Sequence, residues 1–337
     1  MDKLKIGIIG FGGMGHFHAA CYAKRPDSQL AAVADIRPEQ LTGKALEINI
    51  GTGAACDMSS VHAYTSADEM LAAEKLDLVS ICLPTDLHAA YAIKALEAGC
   101  HVLCEKPMSR HLKEADAEIK AVHRTGRRLM IAQCLRFWPC YEKLATVYRS
   151  GALGRLLLLS MRRVSPCPGW GGAETWFKDG RRSGGALLDM HIHDTDFTNH
   201  LLGVPKAVVT TGAPYATGAI DNAVTQYLYD GGVAVMAETS WSYGGGFVMS
   251  FCAIFEQGTL EMGYKDSDLW LLRPGEKPLK MELPAGDGYA REIDYFITCI
   301  QTGVEPERCL PFSTRETMRI AFAEEKSALA GGKAVKL

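Results

Sequence analysis

The sequence predicts a doubly wound parallel α/β domain followed by an α+β domain with a large, mostly antiparallel open sheet. Apolar strand patterns alternate with helix patterns over the first third of the 337-residue chain. A cluster of glycines lies directly behind the first apolar run, Leu4–Ile9. From about residue 155, short strand patterns follow one another in series. We expect residues 1–124 to form the first domain and residues 125–337 the second.

The glycine cluster has the G-x-G-x-x-G spacing. Gly10, Gly12 and Gly15 carry it, and a helix is predicted over Met14–Ala23. The next apolar run ends at Asp35. This order is typical of a dinucleotide-binding βαβ unit, in which the helix N-terminus attracts the phosphates and the acidic residue contacts the ribose. A glycine-rich loop in another kind of α/β protein is the alternative.

Further apolar runs complete the predicted first sheet. Beyond the run that ends at Asp35, strands are predicted at Val61–Tyr64, Asp77–Leu83, Cys100–Cys104 and Arg128–Ala132. Helices are predicted at Pro38–Ile48, Asp68–Ala73, Asp86–Ala98 and Leu112–Thr125. Strands separated by helices pair in parallel, and ligands of such sheets lie outside the carboxyl ends of the strands.

The second domain is predicted from strands in series. They lie at Leu156–Arg162, Ala207–Thr211, Ala223–Tyr229, Val233–Ser240, Val248–Phe255 and Gly258–Met262. Asp230-Gly-Gly indicates a hairpin turn. One helix, Ala186–Leu202, interrupts the early strands, and two closing helices at Gly288–Thr302 and Thr314–Leu329 are expected to pack on this domain.

Composition excludes several classes of protein. A net charge of −3 without a basic stripe argues against a nucleic-acid partner. No apolar run reaches the roughly 20 residues that span a bilayer, so no membrane association is expected. The eleven cysteines form no C-x-x-C pair, and no signal peptide precedes the first strand. We therefore expect reduced thiols and a cytoplasmic location.

A lysine follows the predicted fifth strand in the tripeptide Glu105-Lys106-Pro107. At the carboxyl end of a strand, and fixed by proline, Lys106 can direct a cation towards a cofactor and substrate. The alternative is an ordinary turn with a solvated lysine.

Asp189 and His193 are four residues apart in the predicted helix Ala186–Leu202, so they should share one face. Ser183 could cap that helix. A histidine can take the proton of an alcohol near neutral pH, while a carboxylate orients it or holds the hydroxyl, and a lysine cation keeps it neutral. A metal site with His191 and Asp194 is the alternative. We expect no metal, because histidines two apart on a helix point in different directions.

Arg136 and nearby aromatics are candidate substrate contacts. Arg136 follows the sixth predicted strand, and Trp170, Trp176 and Phe177 lie in a glycine-rich loop. Aromatic faces suit the apolar side of a sugar or cyclitol ring. Packing in the core is the alternative for each tryptophan.

These motifs together resemble the Gfo/Idh/MocA oxidoreductases from end to end. The resemblance rests on the glycine fingerprint, Leu83-Pro84-Thr85…His88, Glu105-Lys106-Pro107, Gly-Gly…Asp189…His193-Asp194, Tyr289…Glu292…Phe296 and Pro311-Phe-Ser. It implies a Rossmann domain and an open mixed sheet that often mediates assembly, so we expect a homodimer or homotetramer formed through the C-terminal sheet.

The resemblance also implies site residues. The catalytic set is Lys106, Asp189 and His193. The substrate-binding set is Lys106, Arg136, Trp176, Asp189 and His193. The cofactor-binding set is Gly10, Phe11, Gly12, Gly13, Met14, Gly15, Asp35, Ile36, Arg37, Leu83, Pro84, Thr85, His88, Glu105 and Lys106. The chain departs from the family pattern at Cys134-Leu135-Arg136-Phe137, where one basic residue is absent, and at His191, where relatives often have glycine.

The expected activity is hydride transfer between a nicotinamide cofactor and a secondary alcohol of a sugar, sugar acid or cyclitol. Asp35 favours NAD over NADP by charge repulsion of a 2′-phosphate, which Arg37 could partly offset. Two alternatives stay open. One is an NAD-dependent glycosidase that uses a transient oxidation, and the other is a non-catalytic dinucleotide-binding regulator.

Overall fold

The computed structural model describes residues 3–44, 47–48, 51–52, 56–169 and 175–337, with only the backbone given at 47–48 and 51–52. Internal contacts divide the chain into two compact units. The first unit runs to Ala132 and takes in Tyr289–Arg315, and the second comprises Gln133–Gly288 and Glu316–Leu337. The division thus falls after Ala132 rather than after residue 124, because the strand ending at Ala132 pairs within the first sheet.

The first unit contains a six-stranded parallel sheet with helices between the strands. Its elements before residue 133 are β1 (Leu4–Ile9), α1 (Gly13–Ala23), β2 (Ser28–Ala34), β3 (Glu47–Ile48), β4 (Gly51–Thr52), β5 (His62–Tyr64), α2 (Ala67–Ala73), β6 (Leu78–Ile81), α3 (His88–Glu97), β7 (His101–Glu105), α4 (Leu112–Thr125) and β8 (Leu129–Ala132). The strand order is β5-β2-β1-β6-β7-β8, and every pairing in it is parallel. This confirms the doubly wound sheet.

The second unit contains a nine-stranded sheet. The elements after residue 132 are α5 (Pro139–Ser150), β9 (Leu156–Val164), α6 (Gly180–Ser183), α7 (Gly185–Asp189), α8 (Ile192–Leu202), β10 (Ala207–Ala213), β11 (Asn222–Leu228), β12 (Ala234–Ser240), β13 (Val248–Phe255), β14 (Gly258–Met262), β15 (Leu269–Leu272), β16 (Leu279–Lys280), α9 (Gly288–Thr302), α10 (Pro311–Leu329) and β17 (Val335–Lys336). The strand order is β16-β15-β14-β13-β9-β12-β11-β10-β17, in which only β9 and β12 pair in parallel. The mostly antiparallel open sheet is confirmed.

Burial patterns explain why the two sheets differ. Strands β6, β7 and β8 are buried at every position, as parallel strands covered on both faces should be. Strands β11 and β12 alternate between buried and more exposed positions, so only one face of the second sheet is covered. The predicted turn after Asp230 is confirmed, since Gly231 and Gly232 with φ of 83° and 79° join β11 to its antiparallel neighbour β12.

Several predicted elements were wrong. The helix over Pro38–Ile48 is a 3₁₀ turn, Pro38–Thr42, which ends before Gly43 with φ of 70°, and β3 pairs with β4 farther on. Residues 45 and 46 of that prediction lie outside the described residues. The helix over Ala186–Leu202 is divided into α7 and α8.

Other differences concern elements that were not predicted and the unit to which α9 belongs. The helix α5 and the short strands β15, β16 and β17 were not predicted. We expected α9 to pack on the second domain. From Tyr289 onward it belongs to the first unit instead. In the described part of the chain, no helix combines the length and the apolar composition needed to cross a bilayer.

Candidate functional site

The turn between β1 and α1 requires glycine at two of its three fingerprint positions. A Cβ at Gly10, where φ is 89°, would lie 2.4 Å from the carbonyl oxygen of Cys82. One at Gly15 would lie 2.2 Å from the carbonyl oxygen of Gly10. At Gly12 the space is open, and the nearest atom to an added Cβ is Nη2 of Arg37 at 3.6 Å. The turn therefore packs tightly on the protein and leaves room at Gly12.

Asp35 is hydrogen-bonded to this turn. Its carboxylate accepts hydrogen bonds from the backbone N–H of Phe11 at 2.9 Å and of Arg37 at 2.9 Å. The Nε of Arg37 lies 3.3 Å from the same carboxylate. Ile36 between them is 85% exposed. The end of β2 thus presents a buried acidic group, a cation and an apolar side chain next to the glycine turn.

His88 connects the loop after β6 to the segment after β7. Its ring nitrogens lie 2.8 Å from the carbonyl oxygen of Leu83 and 2.7 Å from that of Pro107. The Lys106–Pro107 peptide is cis. Thr85 in the same loop is buried, and its hydroxyl has no hydrogen-bond partner among the described residues. His88 therefore supports the loop, and the Thr85 hydroxyl is buried within it.

Glu105 points into the first unit. Its Oε1 lies 3.0 Å from Nε2 of His18, and its Oε2 accepts a hydrogen bond from the backbone N–H of Lys106 at 3.2 Å. The other ring nitrogen of His18 lies 3.1 Å from the hydroxyl of Ser80. The described contacts of Glu105 are thus to the protein itself, and its predicted contact with the cofactor stays a prediction.

The residues around the glycine turn fit a dinucleotide. The helix α1 begins at an uncapped glycine, Gly12, and has no acidic residue in its first turn, so its positive end is suited to phosphate groups. Gly12 provides the open approach to the backbone, and Asp35 provides the carboxylate for ribose hydroxyls. All these features lie within the first unit, at the carboxyl ends of its parallel strands.

In the second unit, two consecutive glycines introduce α7. Gly184 and Gly185 have φ of 79° and 68°, and a Cβ at Gly185 would lie 2.7 Å from the carbonyl oxygen of Ile220. Ser183 does not cap the helix as predicted, because Gly184 occupies the N-cap position. The Ser183 hydroxyl instead accepts a hydrogen bond from the N–H of Gly185 at 3.1 Å.

Asp189 and His193 lie on opposite sides of a helix break. Asp189 is the last residue of α7, whereas His193 lies in the first turn of α8. At the break, the N–H of His191 reaches back five residues to the carbonyl oxygen of Ala186 at 2.8 Å. The expectation of a continuous helix over Ala186–Leu202 was therefore wrong, and the shared face of Asp189 and His193 stays a prediction. The break follows from the burial of His191, whose ring contacts β11.

His193 is nearly buried, with 8% of its surface exposed, and Asp189 is half-buried. Nδ1 of His193 lies 3.8 Å from Sγ of Cys134. Cys134 is one of the positions at which the chain departs from the family pattern, and the sequence had no signal for this contact. The second unit therefore places a carboxylate and an imidazole on either side of one helix break.

Arg136 is engaged in the interior of the second unit. Its Nε and Nη2 donate to the two carboxylate oxygens of Asp196 at 2.7 and 2.6 Å, and the residue is 2% exposed. The Thr317 hydroxyl also donates to Asp196, at 2.8 Å. Arg136 therefore holds the turn Cys134–Arg136 to α8, and its predicted contact with the substrate stays a prediction.

Another buried polar network surrounds His191. Its Nε2 lies 3.2 Å from the hydroxyl of Thr225 and 3.3 Å from that of Tyr227. The Thr195 hydroxyl lies 3.1 Å from that of Tyr227 and donates to the carboxyl group of Glu324 at 3.0 Å. Burial raises the pKa of Glu324 to about 8, so this acid is protonated at neutral pH.

Trp176 lies over a smaller apolar cluster. Its ring stacks on Phe177 with centroids 4.0 Å apart, and Phe177 contacts Trp241 edge to face at 6.5 Å. Trp241 is buried, whereas Trp176 is only half-buried and thus keeps an accessible surface. Trp170 lies outside the described residues. Within the described ranges, no group of three or more His, Cys, Asp or Glu side chains is arranged to hold a metal ion.

Comparisons with known proteins identify the family. The model described as "Oxidoreductase family, NAD-binding Rossmann fold" matches residues 4–133, and that of the GFO/IDH/MocA C-terminal domain matches residues 141–261. D-glucoside 3-dehydrogenase of Escherichia coli (strain K12) is 33% identical over 60% of this chain, a match that spans 55% of that enzyme.

Two further relatives match over more of their length. Inositol 2-dehydrogenase of Rhizobium meliloti (strain 1021) is 28% identical over 90% of each chain. The crystal structure of a Bordetella pertussis dehydrogenase in complex with NADH and UDP-GlcNAcA has the same fold, with a TM-score of 0.83, 21% identity and 99% of both chains covered. The two family models together cover most of the sequence, and the chain therefore belongs to the Gfo/Idh/MocA family of NAD-binding oxidoreductases.

Proposed function

We propose that this protein is an NAD-dependent dehydrogenase acting on a secondary alcohol of a sugar, sugar acid or cyclitol. The observation that carries the proposal is the imidazole of His193 and the carboxylate of Asp189 at a helix break, in a chain that also has a dinucleotide cradle. The substrate class is supported by the glucoside and inositol dehydrogenases to which the chain is similar.

The proposed chemistry assigns one role to each residue. NAD, when bound, supplies the hydride acceptor. His193 accepts the hydroxyl proton, and we assign this to Nε2 because Nδ1 faces Cys134. Asp189 and Lys106 bind and polarise the reacting hydroxyl, the roles that the family resemblance implies for them. In the reverse direction His193 returns the proton.

The preference for NAD rests on Asp35. Its carboxylate, held by the N–H groups of Phe11 and Arg37, would repel the 2′-phosphate of NADP. The guanidinium of Arg37 offsets part of this repulsion. Fluorescence titration should therefore give a lower dissociation constant for NADH than for NADPH, and equal values would contradict the preference.

The second sheet supports the proposal of a homodimer or homotetramer. Its less covered face exposes apolar side chains at Val224 in β11, Met236 in β12 and Ile254 in β13. An exposed apolar sheet face suits a second copy of the same chain. Light scattering should give a mass of two or four chains, and a monomeric mass would contradict the proposal.

The role of His193 is tested by substitution. We first screen sugars, sugar acids and inositols for NADH formation and then compare His193→Ala with the wild type on the best substrate. Loss of a general base should lower turnover by about 10²–10⁴-fold. His200→Ala in the same helix α8 is the control and should retain turnover.

Three results would contradict the proposal. Unchanged turnover in His193→Ala would remove its role as the base. Release of sugar from glycosides without net NADH formation would favour the glycosidase alternative. A protein that binds NADH but converts none of these compounds would favour the regulator.

A further inference from the structure

A chain of buried polar groups crosses the first unit from α1 to Lys106. Nδ1 of His18 lies 3.1 Å from the Ser80 hydroxyl in β6, and Nε2 lies 3.0 Å from Oε1 of Glu105 at the end of β7. The other carboxylate oxygen of Glu105 accepts from the N–H of Lys106 at 3.2 Å. His18 and Ser80 are completely buried and Glu105 is 6% exposed.

The surroundings of His18 and Glu105 favour the ionised form of the pair. Burial opposes a charge on His18, but Cys82 and the Glu105 carboxylate hold the pKa of His18 well above its ordinary value. Burial likewise opposes a charge on Glu105, but the hydrogen bond from His18 and the charges of His18 and Lys106 hold its pKa below the ordinary value. With both nitrogens protonated, His18 donates to Ser80 and to Glu105 at once.

A buried ion pair is a poor device for stability alone. The cost of removing both charges from water is often as large as their attraction, and apolar residues of the same volume would serve the core as well. Together with Ser80, this pair fixes the relative positions of three elements. These are the helix after the glycine turn, the central strand β6 and β7, which ends directly before Lys106.

We propose that His18 and Glu105 are positioning residues for Lys106, holding its backbone against the helix that follows the glycine turn. Neither is assigned a contact with substrate. The inference rests on the proposed function, in which Lys106 binds the reacting hydroxyl. A displacement of about 1 Å in such a group can cost about a hundredfold in rate, so a rigid support behind Lys106 matters for turnover.

The first experiment compares His18→Leu with a control at the other end of β7. His101→Gln is the control, because this buried ring accepts from the N–H of Arg128 at 3.0 Å and burial lowers its pKa to about 4, so it is neutral. We expect His18→Leu to lower kcat by about 10- to 100-fold. The NADH dissociation constant, measured by fluorescence, should change much less. His101→Gln should keep the wild-type kcat.

The pH profile gives a readout that a merely structural role would not change. Without His18, Glu105 loses the partner that lowers its pKa, so it becomes protonated at higher pH and loses an acceptor. The acid limb of kcat should therefore move to higher pH in His18→Leu and stay in place in His101→Gln. His18→Gln, which retains a donor towards Glu105, should be intermediate, and it replaces His18→Leu in every comparison if the leucine variant does not fold.

A double variant decides whether the pair acts through Lys106. If it does, adding His18→Leu to Lys106→Met should cause little further loss of kcat. An equal loss in both backgrounds would overturn the inference, as would wild-type kcat and pH profile in His18→Leu. Wild-type turnover in Lys106→Met alone would instead overturn the proposed role of Lys106, and with it the purpose of the pair.

Discussion

Each unit buries one histidine completely beside a glutamate, and the two histidines are held in opposite states. In the first unit the pKa of His18 is raised and that of Glu105 is lowered, which favours a cation facing a carboxylate. For His191 in the second unit, burial and the nearby charge of Arg163 lower the pKa to about 3, so the ring is neutral. Its glutamate, Glu324, lies 3.8 Å away and is protonated.

The surroundings of the two acids explain the difference. Glu105 is approached by positive groups, since His18 and Lys106 both lower its pKa. Glu324 is approached by hydroxyl groups and by the like charge of Asp194, which adds to the effect of burial. Burial is therefore the same for both pairs, and the net charge of the neighbours decides whether a buried His and Glu exchange a proton.

The two pairs lie next to predicted site residues. The first unit keeps the pair of His18 and Glu105 directly before Lys106. The second unit keeps a neutral network beneath the helix break that separates Asp189 from His193. The two networks therefore differ in the electrostatic environment that they place next to these residues.

The largest effect is expected from Arg163→Met, which removes a cation whose charge lowers the pKa of His191. The guanidinium of Arg163 donates twice to Asp194 at 3.0 Å, and both side chains are buried. Leaving Asp194 buried without its partner should cost about 3–5 kcal/mol in the free energy of unfolding. Chemical denaturation measures this. The control Arg155→Met breaks an exposed pair with Glu256 and should shift the midpoint very little. Similar losses of unfolding free energy in Arg163→Met and Arg155→Met would show that the buried pair contributes no more to stability than the exposed one.

A smaller effect is expected on the pH dependence of the free energy of unfolding, to which Glu324 contributes. Its pKa of about 8 in the folded state is above the ordinary value, so the native state retains a proton that the unfolded chain releases. Stability is thus greatest below the ordinary pKa and falls as pH rises towards 8, by at most about 1.4 kcal/mol per pH unit. Glu324→Gln should remove this slope, whereas Glu325→Gln, its neighbour in α10, should leave it. A slope unchanged in Glu324→Gln would show that Glu324 is ionised like Glu105.

The smallest effect is expected at a buried acid of the first unit whose carboxylate lacks a hydrogen-bond partner among the described residues. Glu118 in α4 is completely buried, and neither of its carboxylate oxygens has a hydrogen-bond partner in the part of the chain that the structure describes. Burial holds its pKa well above the ordinary value. Glu118→Met should raise the free energy of unfolding by about 1–3 kcal/mol, because an unsatisfied polar group is removed.

Glu114 in the same helix is the matched control. Its carboxylate accepts from the N–H groups of Arg110 and His111 at 3.1 Å and so caps the helix. Glu114→Met should lower stability by about 1 kcal/mol. A loss of stability in Glu118→Met as well would show that Glu118 has a partner.

Much of the fold could be predicted because its signals are local. Strand β1, helix α4 and helix α9 have the bounds that the sequence indicated, since apolar runs and periodicity act over a few neighbouring residues. The helix break at Met190 and His191 could not be predicted. It depends on Thr225 and Tyr227, which are 34 and 36 residues away from His191.

The sequence by itself determined the glycine turn, the acidic residue at the end of β2, the order of strands and helices in the first sheet and the family. These depend on backbone sterics and on apolar patterns that a short stretch of chain specifies. Only the tertiary structure decided that Glu105 turns inward to His18, that Arg136 is bound to Asp196, and that one buried histidine is charged and the other neutral. Such outcomes depend on charges and hydrogen-bond partners brought together from distant parts of the chain, which spacing alone does not encode.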